Sequence, residues 1–160
     1  MIYMATVKNY TSGKILKDVK LTNYSLKLTR IPIFGSWIKE KIFTKTKNFE
    51  PLLINIEIAS KLINESNKCA VGERVCRAIN KDSMLTESVF LDELAEGMTR
   101  VEKAQFVEKE EAIKTLQKYP KNPIIAAKVS NKYMEICRSY PQDCVFYNME
   151  KYKIKCLNKN

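Results

Sequence analysis

Hydrophobic residues alternate in some segments of the chain and recur every three to four residues in others, so the pattern predicts both strands and helices. Residues 1–10 and 15–29 are rich in Ile, Val, Tyr and Thr set among lysines, and a Thr-Ser-Gly-Lys sequence separates them. β-Branched and aromatic residues favour strands, while Gly and Ser favour the turn. We therefore expect a small antiparallel β unit at the N-terminus.

The segment that follows changes to a helical period. Trp37, Ile38, Lys41 and Ile42 predict a short basic amphipathic helix, with Ser36 as its N-cap. A helix of this length usually packs against the core of its own protein. With Trp and Phe on its apolar side, it is also suited to lie in a membrane interface. Both interpretations stay open.

The rest of the chain is predicted to be mainly helical. Helices are predicted over residues 52–64, 72–79, 86–97, 108–118 and 131–138, a further helix is predicted to begin within 143–156, and strands are predicted over 104–107 and 124–129. The alternation of Ile54, Ile56 and Ile58 also fits a short strand. We predict an α+β, mainly helical fold.

A chain of 160 residues is long enough for one domain with a sizeable core. We expect residues 1–160 to form a single domain. In this arrangement a basic segment, residues 1–48, holds the small N-terminal antiparallel β unit and the amphipathic helix. That segment packs on a helical body, residues 49–160, which contains a cysteine-built metal site.

The charge is concentrated at the two ends of the chain. Lys and Arg number 28 against 18 acidic residues; residues 1–48 hold ten bases and two acids, and the last sixteen hold four lysines and one glutamate. Such ends attract an anionic partner, which is an acidic protein, a nucleic acid or a membrane surface. Solubility alone is the other explanation. No RNA- or DNA-binding motif accompanies the lysines.

The composition limits the chemistry and the compartment. The sequence has no run of eighteen apolar residues and no secretory leader, so we expect a cytoplasmic protein. It contains no histidine, which excludes an imidazole base or ligand. It also lacks a nucleophile elbow, a phosphate-binding loop and a dinucleotide fingerprint. An enzyme of this composition relies on a bound metal or cofactor, and the sequence does not name a reaction.

Five cysteines are the strongest chemical signal. They form a Cys-x6-Cys pair and a Cys-x6-Cys-x11-Cys trio, at Cys69, Cys76, Cys137, Cys144 and Cys156. Disulfides are disfavoured in a reducing compartment, and an odd number leaves one thiol unpaired. Metal binding or redox chemistry is the favoured use. The alternative is that the thiols are small buried hydrophobic groups.

The spacing favours an iron-sulfur cluster of four irons over zinc. Zinc sites usually draw their ligands from pairs two to four residues apart. Seven residues along an unbroken helix separate two Cα atoms by roughly 10.5 Å, so each pair needs a break in the helix. Gly72 and Pro141 lie within the two pairs and provide such breaks. We expect the first four cysteines to be the ligands. Cys156 either replaces one of them or is a spare thiol.

Three arginines lie beside the cysteines, in a chain that otherwise uses mostly lysine. Arg74, Arg77 and Arg138 can offset the negative charge of a thiolate-bound cluster or lower the pKa of a thiol. Ion pairing with Glu73 or Glu135 is equally compatible. By contrast, the carboxylates at positions 92 and 96 are better explained by a solvated helix face than by an acid pair.

The functional hypothesis is therefore an iron-sulfur protein in electron transfer, or an accessory subunit of a redox complex, with an acidic protein partner. Two alternatives remain. One is a basic nucleic-acid-binding module with structural zinc or merely buried cysteines. The other is a peripheral membrane protein attached through the Trp37 helix.

Overall fold

The computed structural model describes residues 5–160 and contains a seven-stranded mixed sheet with helices on both faces. The helices are α1 (Val7–Thr11), α2 (Lys14–Leu28), α3 (Gly35–Thr46), α4 (Ile56–Glu65), α5 (Val75–Ile79), α6 (Asp92–Arg100), α7 (Lys109–Gln117) and α8 (Val145–Lys151), with a 3-10 turn at Lys47–Phe49. The strands are β1 (Leu52–Ile54), β2 (Cys69–Glu73), β3 (Glu87–Leu91), β4 (Ala104–Val107), β5 (Ile124–Val129), β6 (Lys132–Arg138) and β7 (Asn158–Lys159). The fold belongs to the α+β class.

The strands lie in the order β4-β2-β3-β6-β5-β1-β7. β1 and β7 are parallel, and the other neighbours are antiparallel. β5 and β6 form a tight hairpin in which Ser130 and Asn131 adopt positive φ angles of 50° and 67°. Two consecutive residues with positive φ form a two-residue turn whose twist matches that of the two strands it connects. This hairpin lies near the centre of the sheet.

Strand alternation gives the sheet two different faces. Glu135 and Cys137 point to one face, which we name the Glu135 face, because side chains two residues apart share a face. Met134 and Ile136 point to the other. Helices α1, α2, α5 and α8 cover the Glu135 face, since residues of all four line one cavity with Glu135. Helices α4 and α7 cover the opposite face.

Two apolar clusters hold the elements together. The main core lies around the sheet and includes the fully buried Phe90, Leu94 and Ile136. A smaller cluster joins α2, α3, α8 and the C-terminal segment, and it consists of Leu26, Ile42, Met149 and Ile154. Phe146 packs against both clusters. The N- and C-terminal parts of the chain therefore pack together on the same face of the sheet.

The predicted N-terminal antiparallel β unit is wrong. Residues 7–11 and 14–28 form helices, and residues 1–4 of the first predicted strand lie outside the described residues. Ile15, Val19 and Leu26 are buried at helical spacing on one side of α2. This burial outweighs the strand preference of the β-branched residues. The basic N-terminal segment is thus helical.

The predicted helix over residues 131–138 is also wrong, because this segment is β6. Its alternating side chains fill both faces of the sheet, and tertiary pairing with β3 and β5 decides the conformation. The segments predicted as helices over 52–64, 72–79 and 86–97 each begin as a strand and continue as a helix.

Four predictions are confirmed. The strands over 104–107 and 124–129, the helix over 108–118 and the helix that begins within 143–156 are present as β4, β5, α7 and α8.

The helix predicted around Trp37 exists as α3, but only part of it packs in the core. Ile42 is buried, whereas the Trp37 side chain is 59% exposed. Core packing therefore does not account for the tryptophan. None of the helices within residues 5–160 combines the length and the apolar character needed to cross a bilayer.

Gly72 allows a close approach between β2 and its neighbours. A Cβ atom at this position would overlap the carbonyl oxygen of Lys103 and lie 2.9 Å from the ring of Phe90. We predict that Gly72→Ala lowers the free energy of unfolding by about 1–3 kcal/mol, because the core must shift to admit the methyl group. Urea denaturation measures this change. Ser36→Ala on exposed α3 is the control and changes the free energy by less than about 0.5 kcal/mol. Equal stabilities of the Gly72 variant and the parent would contradict the close packing.

Candidate functional site

A cavity of about 50 Å³ lies between the Glu135 face and the helices that cover it. Its walls combine aliphatic and aromatic side chains with a few polar ones. The polar and sulfur-bearing residues of the lining are Tyr10, Thr46, Arg74, Cys76, Glu135, Cys137 and Cys144. The volume equals that of a few water molecules. The cavity brings together one arginine, one glutamate, one tyrosine and three cysteines of the part of the chain that the structure describes.

The β5–β6 hairpin supplies the floor of the cavity. Ile125 pairs with Cys137, and Ala127 pairs with Glu135, so these four side chains lie on one face. The small side chain of Ala127 leaves space beside the carboxylate. The register of the hairpin therefore determines that one acid and one thiol face the cavity rather than the opposite side of the sheet.

Three cysteines from three elements line this cavity. Cys76 comes from α5, Cys137 from β6, and Cys144 is the N-cap residue of α8. Burial raises the pKa of Cys76 to about 12 and raises the pKa of the Cys137 and Cys144 thiols as well. All three are neutral thiols at neutral pH. In each case the positive charge of Arg74 acts in the opposite direction and favours the thiolate.

Backbone amides at the start of α8 also favour the thiolate forms. The amide of Val145 lowers the pKa of Cys76, and the amides of Phe146 and Tyr147 lower that of Cys144, although burial outweighs both effects. The start of α8 therefore contacts one cysteine from the middle of the chain and one from its C-terminal part. One cysteine of the predicted pair, Cys76, and one of the predicted trio, Cys144, therefore lie at the start of α8.

The remaining two cysteines differ in position. Cys69 is buried in β2, where its sulfur lies 3.3 Å from the Ser66 hydroxyl oxygen and not in the cavity wall. Cys156 follows α8, and its sulfur lies 3.5 Å from the carbonyl oxygen of Phe146, which lines the cavity. Burial, Glu150 and Cys144 raise the pKa of Cys156 to about 12. The structure thus places Cys156, and not Cys69, against a residue of the cavity wall and near Cys144.

Arg74 is the one predicted arginine that lines the cavity. Its side chain is 2% exposed, and it donates from Nε to the Leu85 carbonyl at 3.0 Å and from Nη2 to the Ser83 hydroxyl at 2.9 Å. The nearest carboxylate oxygen is Oδ2 of Asp143, 3.9 Å from Nη2. A buried cation normally needs a close anionic partner. Arg74 therefore has Asp143 as a long-range ion-pair partner, and the Glu135 carboxyl group lies in the same cavity wall.

The other two arginines have structural contacts. Arg77 donates to the carbonyl of Asn80 at 3.4 Å. Arg138 points to the opposite face of the sheet and donates to the carbonyls of Leu116 and Asn122. Arg138 therefore connects β6 to α7 and lies on the wrong side of the sheet to reach the cavity.

Glu135 and Tyr10 form a buried pair that the sequence did not identify as part of the site. The Tyr10 hydroxyl donates to one carboxylate oxygen, and the Ser88 hydroxyl lies 3.4 Å from the other. Burial raises the pKa of Glu135, although Tyr10, Ser88 and Arg74 partly counter this effect. Burial and the adjacent carboxyl group raise the pKa of Tyr10. Once β6 is recognised as a strand, an acid between two buried apolar residues is a signal for such a site. The short helix that carries Tyr10 offers no such signal in the sequence.

The acidic residues at positions 92 and 96 have structural partners. Asp92 accepts from the backbone amide of Asn67 at 2.7 Å, and Glu96 forms an ion pair with Lys68 at 2.7 Å. These contacts join the segment before β2 to α6. They account for both carboxylates without a catalytic role.

No group of three or more cysteine, aspartate or glutamate side chains is arranged to hold a single metal ion in the part of the chain that the structure describes. The three cavity cysteines surround a common space without forming such a group.

The chain has no matching family model, and neither curated proteins nor solved structures show a significant similarity to it. The fold defines a seven-stranded α+β protein. The site must be interpreted from its own residues.

Removing the Tyr10 hydroxyl tests the buried pair. We predict that Tyr10→Phe lowers the free energy of unfolding by about 1–3 kcal/mol, because the Glu135 carboxyl group loses a buried donor. Chemical denaturation of the protein measures the effect. Tyr24→Phe is the control, since Tyr24 is 63% exposed, and it changes stability little. Equal stabilities of the two variants would show that the Tyr10 hydroxyl is not a structural donor.

Proposed function

We propose that the protein binds an iron-sulfur cluster of four irons through Cys76, Cys137, Cys144 and Cys156, and acts in electron transfer or as an accessory subunit of a redox complex. The observation that carries the proposal is the convergence of three cysteines and one buried arginine on a single cavity. The fourth cysteine contacts a residue of the same cavity wall. The fifth, Cys69, lies in β2 outside the wall and is the spare thiol in this proposal.

The charge of the cavity supports a ligand made of thiolates. Four thiolates around an iron-sulfur core leave net negative charge, and the guanidinium of Arg74, which forms a 3.9 Å ion pair with Asp143, lies in the same wall. Metal binding displaces the protons that the buried thiols otherwise keep. The amides at the start of α8 are donors to the sulfurs of Cys76 and Cys144. Such donors tune the potential of a cluster.

We prefer a cluster to one zinc ion because of how the cysteines are arranged, and not because of the size of the cavity. A zinc ion requires four ligands at about 2.3 Å, and none of the donor groups within residues 5–160 is so arranged. A cluster core is larger and its thiolates lie farther apart. It also exceeds the present cavity, so binding requires the walls to separate. In this proposal the walls separate at residues 139–144 and 152–157, which carry Cys144 and Cys156 and lie outside the helices and strands.

The C-terminal lysines are a surface for an acidic redox partner in this proposal. The last sixteen residues contain four lysines and one glutamate, and they include Cys156. An acidic protein that docks on them comes near one ligand of the proposed cluster. Complementary charge of this kind increases the rate of encounter.

Anaerobic reconstitution with iron and sulfide tests the proposal. We predict a brown protein with broad absorption at about 400 nm and about four irons per chain. Serine at position 76, 137, 144 or 156 removes most of the bound iron, whereas Cys69→Ser, the matched control, retains it. Circular dichroism of each apoprotein verifies that the variant is folded.

Two results would contradict the proposal. A colourless protein without iron after reconstitution would exclude the cluster. Equal iron loss in Cys69→Ser and in Cys144→Ser, with both variants folded, would show that the cavity does not define the ligands. One tightly bound zinc in a colourless protein would favour the zinc alternative instead.

A further inference from the structure

The turn between α2 and α3 and the start of α3 carry a group of exposed apolar side chains that are close in sequence. We name it the apolar tip; it consists of Ile31, Ile33, Phe34 and Trp37. The exposed fractions are 80% for Ile33 and 58% for Phe34, and the Ile31 and Trp37 side chains are exposed as well. An exposed apolar group of this kind on a protein surface usually marks an interaction site.

The backbone holds the tip in place. The amide of Gly35 donates to the carbonyl of Ile31 at 2.8 Å, and the amide of Ile31 donates to the carbonyl of Leu28. Gly35 is buried against Thr29, where a Cβ atom would overlap the Thr29 carbonyl oxygen. Beneath the tip, α2 and α3 are joined through the small apolar cluster of Leu26 and Ile42. The apolar side chains therefore project from a compact turn and do not fold back onto the core.

Basic residues flank the tip on both helices. Between residues 14 and 48 the chain has nine lysines and arginines and two acidic residues. Lys27 and Lys41 are exposed on either side of the turn, and the Lys41 ammonium lies 5.4 Å from the centre of the Trp37 ring. One of the two acids, Asp18, is paired with Lys14 at 3.4 Å. The two helices that carry the tip are thus strongly basic, and Lys27 and Lys41 are the exposed lysines nearest to it in the sequence.

We propose that the apolar tip binds the surface of anionic phospholipid membranes. Trp, Phe and Ile flanked by Lys and Arg form the arrangement that inserts into the boundary between headgroups and acyl chains. The basic residues complement the negative surface charge, and each one near the membrane adds to the binding. Nucleic acid fits less well, because the two exposed isoleucines give no contact that bases or phosphates require. This site is separate from the cysteine cavity, and the proposal does not depend on the cluster.

The sole tryptophan of the chain is a reporter at the site. With vesicles of phosphatidylcholine containing a minority of phosphatidylserine, we expect the protein to float with the vesicles and the Trp37 emission to shift to shorter wavelength. Vesicles of phosphatidylcholine alone should bind at least about tenfold less, and added salt should weaken binding.

Two pairs of matched variants locate the contact. Ile33→Ser combined with Phe34→Ser keeps the reporter and should weaken binding at least about tenfold, because it removes the inserted side chains. Met84→Ser combined with Phe106→Ser, which removes two exposed apolar side chains elsewhere, should bind as the parent does. Lys27→Gln combined with Lys41→Gln should weaken binding, whereas Lys81→Gln combined with Lys121→Gln should have less effect.

Several outcomes would overturn the proposal. These are the absence of flotation with phosphatidylserine vesicles, unchanged binding by the folded tip variant, and equal losses in the tip variant and its control. A concentration-dependent dimer with a blue-shifted Trp37 emission in the absence of lipid would assign the tip to a second copy of the chain. Tight binding of duplex DNA or RNA that survives loss of the tip, without vesicle binding, would assign the basic surface to nucleic acid.

Discussion

Two buried ionisable residues, Arg74 and Glu135, line the same cavity, and each has hydrogen-bond partners there. A guanidinium and a carboxyl group are costly to bury without partners. Arg74 is satisfied by the Leu85 carbonyl and the Ser83 hydroxyl, and Glu135 by Tyr10 and Ser88. These contacts connect α1, the loop between α5 and β3, and the strands β3 and β6. They place two polar side chains in the wall of a cavity whose lining is otherwise mostly apolar.

The proposed common function of the cysteines depends on this cavity. Three of them face the space that Arg74 and Glu135 define, and a fourth lies behind the same wall. Their raised pKa values show that the thiols keep their protons when no metal competes. In the proposal, binding of the iron releases those protons from the thiols. The negative charge of the thiolates then lies near the guanidinium of Arg74. The proposed cluster and the proposed membrane contact then use different parts of the molecule, one between the helices and the sheet and the other at the end of α2 and α3.

Local sequence patterns predicted elements well where the pattern had one interpretation. The apolar β-branched run that became β5, and the helix that ends before Pro120, are of this kind. They failed where composition and period disagreed. In α2 the β-branched residues favoured a strand, but Ile15 and Val19 recur at helical spacing. In β6 the two-residue turn was missed because Ser130-Asn131 is a weaker hairpin signal than Asn-Gly. That omission also concealed Glu135, whose burial depends on the strand register. Sequence spacing grouped Cys69 with Cys76. In the structure Cys69 is the first residue of β2 and lies outside the cavity wall, whereas Cys76 in α5 lines the cavity.

The most direct measurement is a crystal structure of the anaerobically purified protein, with diffraction data collected at the iron absorption edge. We predict anomalous density for several irons in the space bounded by the sulfurs of Cys76, Cys137, Cys144 and Cys156, with Cys69 remote from it. A cavity that contains only solvent, with the four sulfurs packed against apolar neighbours and no iron signal, would contradict the central claim.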